Sequence, residues 1–364
     1  MVEFLSIERF HALARETQAP VLDVRTPAEY AHAHLPEAEN LPLFSNEERI
    51  VVGTAYKQQG RETAIKLGLE IVGVKMRSLV EEAEKINAER ISSGLVGIGN
   101  KTLFVYCWRG GMRSGSVGWL LDLMGFKVYS LRGGYKAYRK FMLETIAKPR
   151  KIVILGGKTG SGKTLLLQEL AAQGEQVLDL ESLANHKGSA FGALGEASQP
   201  SQEDFENCIG AALWGMNAEQ RVWIEDESRM VGKRSIPAPL WEQMRTAPTL
   251  VLEIPLEERL RLLTAQYGGY SREELCDAVL HIEKRLGGAA TKEALAALEA
   301  GNYAECAAIT LRYYDSSYAK GLSRREPSLL TTIQPFAGSS SVDEPFQHIL
   351  FSAVKKVIVS LGRE

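Results

Sequence analysis

No two cysteines of this chain lie close enough in sequence to make a CxxC pair. The four, at 107, 208, 276 and 306, are widely spaced. That argues against a zinc site or a disulfide framework and for a reducing cytosol, so a cytoplasmic protein is expected. Charge of one sign is missing too: 43 Lys and Arg against 45 Asp and Glu leave a net charge of -2. Any nucleic-acid affinity must therefore rest on local patches. No apolar run approaches the ~20 residues that span a bilayer. Residues 1–10 carry Glu3, Glu8 and Arg9 and no apolar signal core, so neither a leader nor a membrane partner is expected. Internal repeats are absent, and only Gly338-Ser339-Ser340-Ser341 is of low complexity. What is present is a globular composition, 45% hydrophobic and 24% charged over 364 residues, enough for about two domains.

The first half alternates strands and helices. Val21-Leu22-Asp23-Val24 reads as a buried strand. Thr26-Pro27-Ala28-Glu29 follows as a capping box with proline at the first helical position. Leu103-Phe104-Val105-Tyr106 and Lys127-Val128-Tyr129-Ser130-Leu131 read as further strands, and residues 45–100 as a helical insertion. Proline in Ala147-Lys148-Pro149-Arg150 interrupts a charged helical stretch, which sets the expected domains at 1–146 and 147–364. Apolar runs at 151–155, 176–180, 221–226, 249–254 and 329–333, separated by helical patterns, predict a doubly wound parallel sheet. Residues 256–319 read as a helical region. The fold class is α/β throughout.

Two motifs carry chemistry. Cys107 ends an apolar strand and opens Trp108-Arg109-Gly110-Gly111-Met112-Arg113-Ser114. Glycines let successive amides face inward as an anion nest, and a helix over 114–124 would turn its positive end to the sulfur. Both effects hold a thiol pKa down and make a nucleophile. Cys208, Cys276 and Cys306 fall in helical stretches and are expected to be buried and inert. The second motif is Gly157-Lys158-Thr159-Gly160-Ser161-Gly162-Lys163-Thr164, a phosphate loop between an apolar strand and a helix. Its amides would bind a di- or triphosphate, Lys163 would bridge the outer phosphates, and Thr164 with Asp226 would hold Mg²⁺. No tightly bound cofactor is expected beyond that ion. Basic stretches at 127–151 (Lys136, Arg139, Lys140) and 49–77 (Lys57, Arg61) read on spacing alone as solvated helix faces.

The first motif and its surroundings resemble the rhodanese family: Val21-Leu22-Asp23-Val24-Arg25, Glu29-Tyr30, His34-Leu35-Pro36 and Asn40-Leu41-Pro42, with Cys107 at that family's persulfide-forming position. The family usually places arginine five residues after cysteine. Here Arg113 is six after, and the longer loop should admit a bulkier anion. Cys107-x5-Arg113-Ser114 also matches cysteine phosphatases, but Tyr106 stands where those carry histidine, and no general-acid aspartate lies in the loop. His34 is read as structural.

A rhodanese half followed by a phosphate-loop half resembles the bacterial tRNA 2-selenouridine synthase family. Asn185-His186-Lys187-Gly188-Ser189-Ala190-Phe191-Gly192, Gln199-Pro200-Ser201-Gln202 and Glu225-Asp226-Glu227-Ser228-Arg229 fit it too. The resemblance implies that sulfur of wobble 2-thiouridine is alkylated with geranyl diphosphate and then replaced by selenium from selenophosphate. Cys107 would carry selenium as a selenyl-sulfide, the loop from Trp108 to Arg113 would bind selenophosphate, and the phosphate loop would hold geranyl diphosphate or, alternatively, a regulatory nucleotide. Given the resemblance, Lys136, Arg139, Lys140, Lys57 and Arg61 are expected at tRNA, and the chain is expected to be a monomer. The other reading is a sulfur-relay or sensor protein with a nucleotide-gated switch.

Overall fold

The computed structural model describes residues 1–189, 191–335 and 346–361. These form two compact units. The first holds Met1–Thr145 and Glu206–Ala211, and the second holds Ile146–Phe205 and the described residues after 211. The serine-rich run at 338–341 lies outside the described residues, as does Ala190.

The first unit is built on five parallel strands: β1 (Glu3–Leu5), β2 (Val21–Asp23), β3 (Ala38–Asn40), β4 (Thr102–Tyr106) and β5 (Lys127–Leu131), in the order β1-β5-β4-β2-β3. Helices α1 (Ile7–Thr17), α2 (Pro27–His32), α6 (Met112–Leu123) and α7 (Gly134–Ala147) follow strands. The insertion supplies α3 (Asn46–Gln59), α4 (Arg61–Gly73) and α5 (Met76–Ser92). Thr26 caps α2 with the reciprocal bonds to Glu29 that the sequence predicts. The strands on both sides of Cys107 are buried runs, as parallel strands covered on two faces must be. Leu22, Val24, Leu103, Val105, Val117, Leu121 and Val128 make the core, and Val52, Ile71, Val72 and Met76 of the insertion pack against it.

The second unit carries β6 (Lys151–Gly157), β7 (Gln176–Leu178), β8 (Arg221–Glu225), an antiparallel ribbon of β9 (Met230–Val231) and β10 (Arg234–Ser235), then β11 (Thr249–Leu252) and β12 (Leu330–Ile333). The main sheet is parallel in the order β12-β11-β6-β8-β7. Between the strands run α8 (Lys163–Ala172), α9 (Leu180–Ala184), α10 (Gln202–Gly215, of which Glu206–Ala211 belongs to the first unit) and α11 (Ala238–Thr246). β7 is shorter than its apolar run because Asp179 accepts the Ser182 N–H and caps α9 at that point. Helices α12 (Leu256–Tyr267), α13 (Arg272–His281), α14 (Glu283–Leu286), α15 (Gly288–Glu299) and α16 (Tyr303–Leu322) pack round Leu263, Leu275, Val279, Leu298 and Ile309, and α17 (Phe346–Leu361) returns to the sheet. Among the described residues no helix is long and apolar enough to cross a membrane.

Candidate functional sites

Cys107 follows the buried end of β4 and is itself buried. Its backbone is pinned from α7: the Tyr135 N–H donates to the Cys107 carbonyl at 2.8 Å, and the Lys136 N–H to the Trp108 carbonyl at 3.0 Å. The approach is so close that a Cβ on Gly134 would lie 2.2 Å from the Cys107 oxygen, and one on Gly110 2.4 Å from the Leu131 oxygen. Both glycines have positive φ, which no side chain would tolerate here. The Gly111 N–H points at Sγ at 3.4 Å, and Ser114 Oγ stands 3.3 Å from it. Burial pushes the thiol pKa up, but bonds from the Ser114 hydroxyl and from the Ser114, Gly111 and Arg109 amides outweigh it, and the net shift is downward. The loop favours the thiolate. Cys276 and Cys208 prove only half-buried, and only Cys306 of the remaining three is enclosed. Burial pushes Cys306 up to about 12.

The two arginines of the loop differ. Arg109 is exposed, with no ion pair among the described residues. Arg113 makes a two-pronged pair with Glu29, at 2.7 and 3.2 Å. Glu29 is also the capping residue of α2 and accepts the Thr26 N–H at 3.0 Å. Burial would raise its pKa, yet the Arg113 and Thr26 bonds hold it below the usual carboxylate range. Thus Arg113, placed by the sequence among the selenophosphate ligands, spends its fork on Glu29 and orients the loop. Tyr106, where phosphatases carry histidine, donates to Asp23 at 2.8 Å, and Asp23 also holds the buried Arg25. Its role is structural. His34 stacks on Tyr30 and bonds the Tyr30 carbonyl, which agrees with a structural reading.

Beside Cys107 the insertion opens a cavity of about 1320 Å³ that no local sequence pattern announces. Helices α3, α4 and α6 line it with Ile50, Tyr56, Leu69, Met112 and Trp119, and with Trp108 of the loop. Arg49, Lys57, Arg61 and Arg109 add positive charge. Lys57 and Arg61 therefore belong to the Cys107 site. Lys136 is exposed at the start of α7, and Lys140 is exposed with Glu144 one turn on. Arg139 is different. It is half-buried and ion-paired with Glu206, with Asn207 Oδ1 at 3.1 Å, so it works as a packing contact within the first unit rather than as a solvent-facing cation.

In the second unit Gly157, Gly160 and Gly162 all have positive φ. A Cβ on Gly162 would meet Phe346 at 2.6 Å, and one on Gly160 would meet Leu263 at 3.0 Å. Lys158 lies 3.9 Å from Asp315, which also clasps the buried Arg259, and Arg259 donates to the Thr159 carbonyl at 2.8 Å. Lys163 Nζ bonds the Gly157 carbonyl at 2.9 Å, and exposed Thr164 opens α8. Ser161 Oγ is buried with no partner. An orphaned hydroxyl inside a ring of amides fits a phosphate oxygen.

Asp226, which the sequence assigned to Mg²⁺ together with Thr164, lies outside the carboxylate cluster that the structure brings together. It pairs with buried Arg325 at 2.5 Å. The reason is strand parity: the Asp226 N–H continues the β-ladder to Leu155, so neighbours on either side of it point to the other face. Those neighbours, Glu225 and Glu227, meet Glu181 of α9, and one oxygen from each lies within 4.8 Å of the others. Burial, then mutual repulsion, pushes Glu181 and Glu227 to about 8, and Glu225 well above its ordinary value, while Lys163 pulls all three down. Gly188 closes the cluster, where a Cβ would come within 2.7 Å of both Glu181 and Glu227. Three repelling carboxylates beside one lysine form an all-oxygen donor set that suits Mg²⁺.

Comparison with known proteins agrees with both halves. A rhodanese-like domain matches residues 6–141, and the tRNA 2-selenouridine synthase AAA domain matches residues 150–335. A tRNA 2-selenouridine synthase of Marinobacter nauticus is 34% identical, over 85% of this chain and 90% of that protein. One from Shewanella pealeana is 33% identical over 85% and 91%, and one from Serratia proteamaculans 39% identical over 68% and 64%. The chain belongs to the tRNA 2-selenouridine synthase family.

Proposed function

We propose that this chain, an enzyme of selenium-dependent tRNA modification, converts wobble 2-thiouridine to 2-selenouridine in two steps. First the thiocarbonyl sulfur is alkylated by geranyl diphosphate. Then selenium from selenophosphate replaces the geranylthio group. The observation that carries this reading is the thiolate-favouring loop round Cys107 in a chain that also folds a phosphate cradle.

In the first step the amides of the phosphate loop, Ser161 and Lys163 take the diphosphate and spread its charge as the allylic C–O bond breaks. Glu181, Glu225 and Glu227 would hold Mg²⁺, which would add positive charge to the same leaving group. A nucleotide in this loop remains the rival ligand.

The second step needs a nucleophile at C2 of an S-alkyl isothiourea. A selenyl-sulfide on Cys107, the expectation raised by the rhodanese resemblance, cannot form from thiolate and selenophosphate with release of phosphate unless a two-electron oxidant is supplied. The balanced route is redox-neutral. Cys107 Sγ bonds to C2 and geranylthiolate leaves with a proton. Selenium of selenophosphate then displaces Cys107, and water cleaves Se–P to give phosphate and the C2 selenocarbonyl. Arg109 and the loop amides offer positive charge to the incoming anion. Incubating 2-thiouridine tRNA with the protein, geranyl diphosphate and selenophosphate, followed by nucleoside mass analysis, tests the scheme. S-geranyl-2-thiouridine should appear and then give way to 2-selenouridine. Nucleotide hydrolysis with an unaltered tRNA would favour the relay or sensor reading instead.

A further inference from the structure

The cavity beside Cys107 is larger than a small-anion site requires. A loop that handles selenophosphate needs amides and a cation, and those are already present in residues 108–113. Yet six large apolar side chains on its walls, Ile50, Tyr56, Leu69, Trp108, Met112 and Trp119, stay 39% to 68% exposed. Such a concentration in one cleft marks a binding surface rather than scattered exposure. At about 1320 Å³ the cavity exceeds the roughly 300–1,000 Å³ that holds a drug-sized ligand. It therefore has room for a nucleotide together with an apolar substituent. Arg49, Lys57 and Arg61 stand among the apolar residues, so the complementary ligand is polyanionic at one end and hydrocarbon at the other.

We propose that this cleft seats the hydrocarbon chain of the S-alkylated thiouridine during displacement, with RNA phosphates against Arg49, Lys57 and Arg61 and C2 presented to Cys107 Sγ. The assignment rests on the two-step reading above and adds to it where the chain lies. The structural consequence is that the leaving thiol departs into an apolar enclosure. Helices α3 and α4, an insertion between β3 and β4, then act as the determinant of chain length.

Two measurements separate this proposal from the reading it rests on. Calorimetric binding of S-geranyl- and S-methyl-2-thiouridine nucleosides to the full chain should favour geranyl by about tenfold or more, from buried methylenes. The variant Ile50→Gln with Leu69→Gln, both solvent-exposed and so tolerable to the fold, should bring that ratio towards unity. In single-turnover selenation of tRNA carrying either group, the same variant should erase the preference for geranyl. A ratio unchanged by the variant, or no geranyl preference in the wild type, overturns the assignment. Geranyl-selective binding lost in the variant, but without selenation of any geranylated tRNA by the wild type, would leave the cleft standing and refute the two-step scheme. Concentration-dependent self-association abolished by the variant, with chain preference intact, would give the cleft to a second copy and also overturn the proposal.

Discussion

Replacing Ser114 with alanine should slow alkylation of Cys107 by a defined amount. The Ser114 hydroxyl lies 3.3 Å from Sγ and is one of four groups that hold the thiolate, with the amides of Ser114, Gly111 and Arg109. A hydrogen bond to a charged acceptor contributes roughly 1.5–3 kcal/mol net. The long sulfur distance favours the lower end, and about 1.4 kcal/mol is one pKa unit. Below the thiol pKa the thiolate fraction then falls about tenfold. A more basic thiolate is also a better nucleophile, which with a Brønsted slope near 0.4–0.5 returns about threefold. The net expectation is an iodoacetamide rate about threefold lower near neutral pH, with the pH midpoint about one unit higher. Following the Cys107 peptide by mass spectrometry keeps the other cysteines from contaminating the rate, and Cys276 and Cys306 are further suppressed by thiols raised through burial. An unmoved midpoint would refute the claim that the loop, through this hydroxyl, poises the sulfur.

Lys163→Ala should cut geranylation of 2-thiouridine tRNA by about a hundredfold and spare selenation of tRNA supplied already geranylated. Equal loss of both steps in kinetic assays would contradict it. Glu227 has a folded pKa near 8 against an ordinary 4.5, so its stabilising protonation is complete below about 4.5 and lost as pH rises through 8. Metal-free protein should therefore lose melting temperature across that window relative to Glu227→Gln, and Mg²⁺ should recover it only in the wild type. A wild-type curve parallel to the variant would remove the acidic cluster from the account. Lys57→Glu with Arg61→Glu should weaken tRNA binding and flatten the slope of log affinity against log salt by roughly one or two units, as lost phosphate contacts do. Arg139→Glu should instead lower the melting temperature, because it sets a second carboxylate against Glu206.

Much of this architecture is legible in the sequence because it follows from local chemistry. The buried run at β4, the Thr26–Glu29 capping box and the glycine spacing of the phosphate loop each dictate a conformation within a few residues. β1 and β3, three residues each, carry too little pattern to be read, and only pairing with β5 and β2 makes them strands. The site fails where roles depend on distant partners. Arg113 reads as an anion ligand until Glu29, 84 positions away, is seen to occupy it. Asp226 reads as a metal ligand because strand ends often carry one. Parity in β8 and the arrival of Arg325 from beyond α16 send it to the opposite face. Glu225 and Glu227 stand two apart in Glu225-Asp226-Glu227-Ser228-Arg229, and counting alternate residues groups them on one face. Glu181 carried no such signal. The apolar cleft was hidden because the insertion reads as ordinary amphipathic helices, and nothing local tells which apolar residues stay uncovered.

In the two-step scheme Cys107 acts only in the replacement of sulfur by selenium. The most direct test is Cys107→Ser incubated with 2-thiouridine tRNA, geranyl diphosphate and selenophosphate, with nucleosides resolved by mass. S-geranyl-2-thiouridine should accumulate and no 2-selenouridine should form. Loss of both products in a folded, tRNA-binding variant, or normal 2-selenouridine without the thiol, would contradict this role of Cys107.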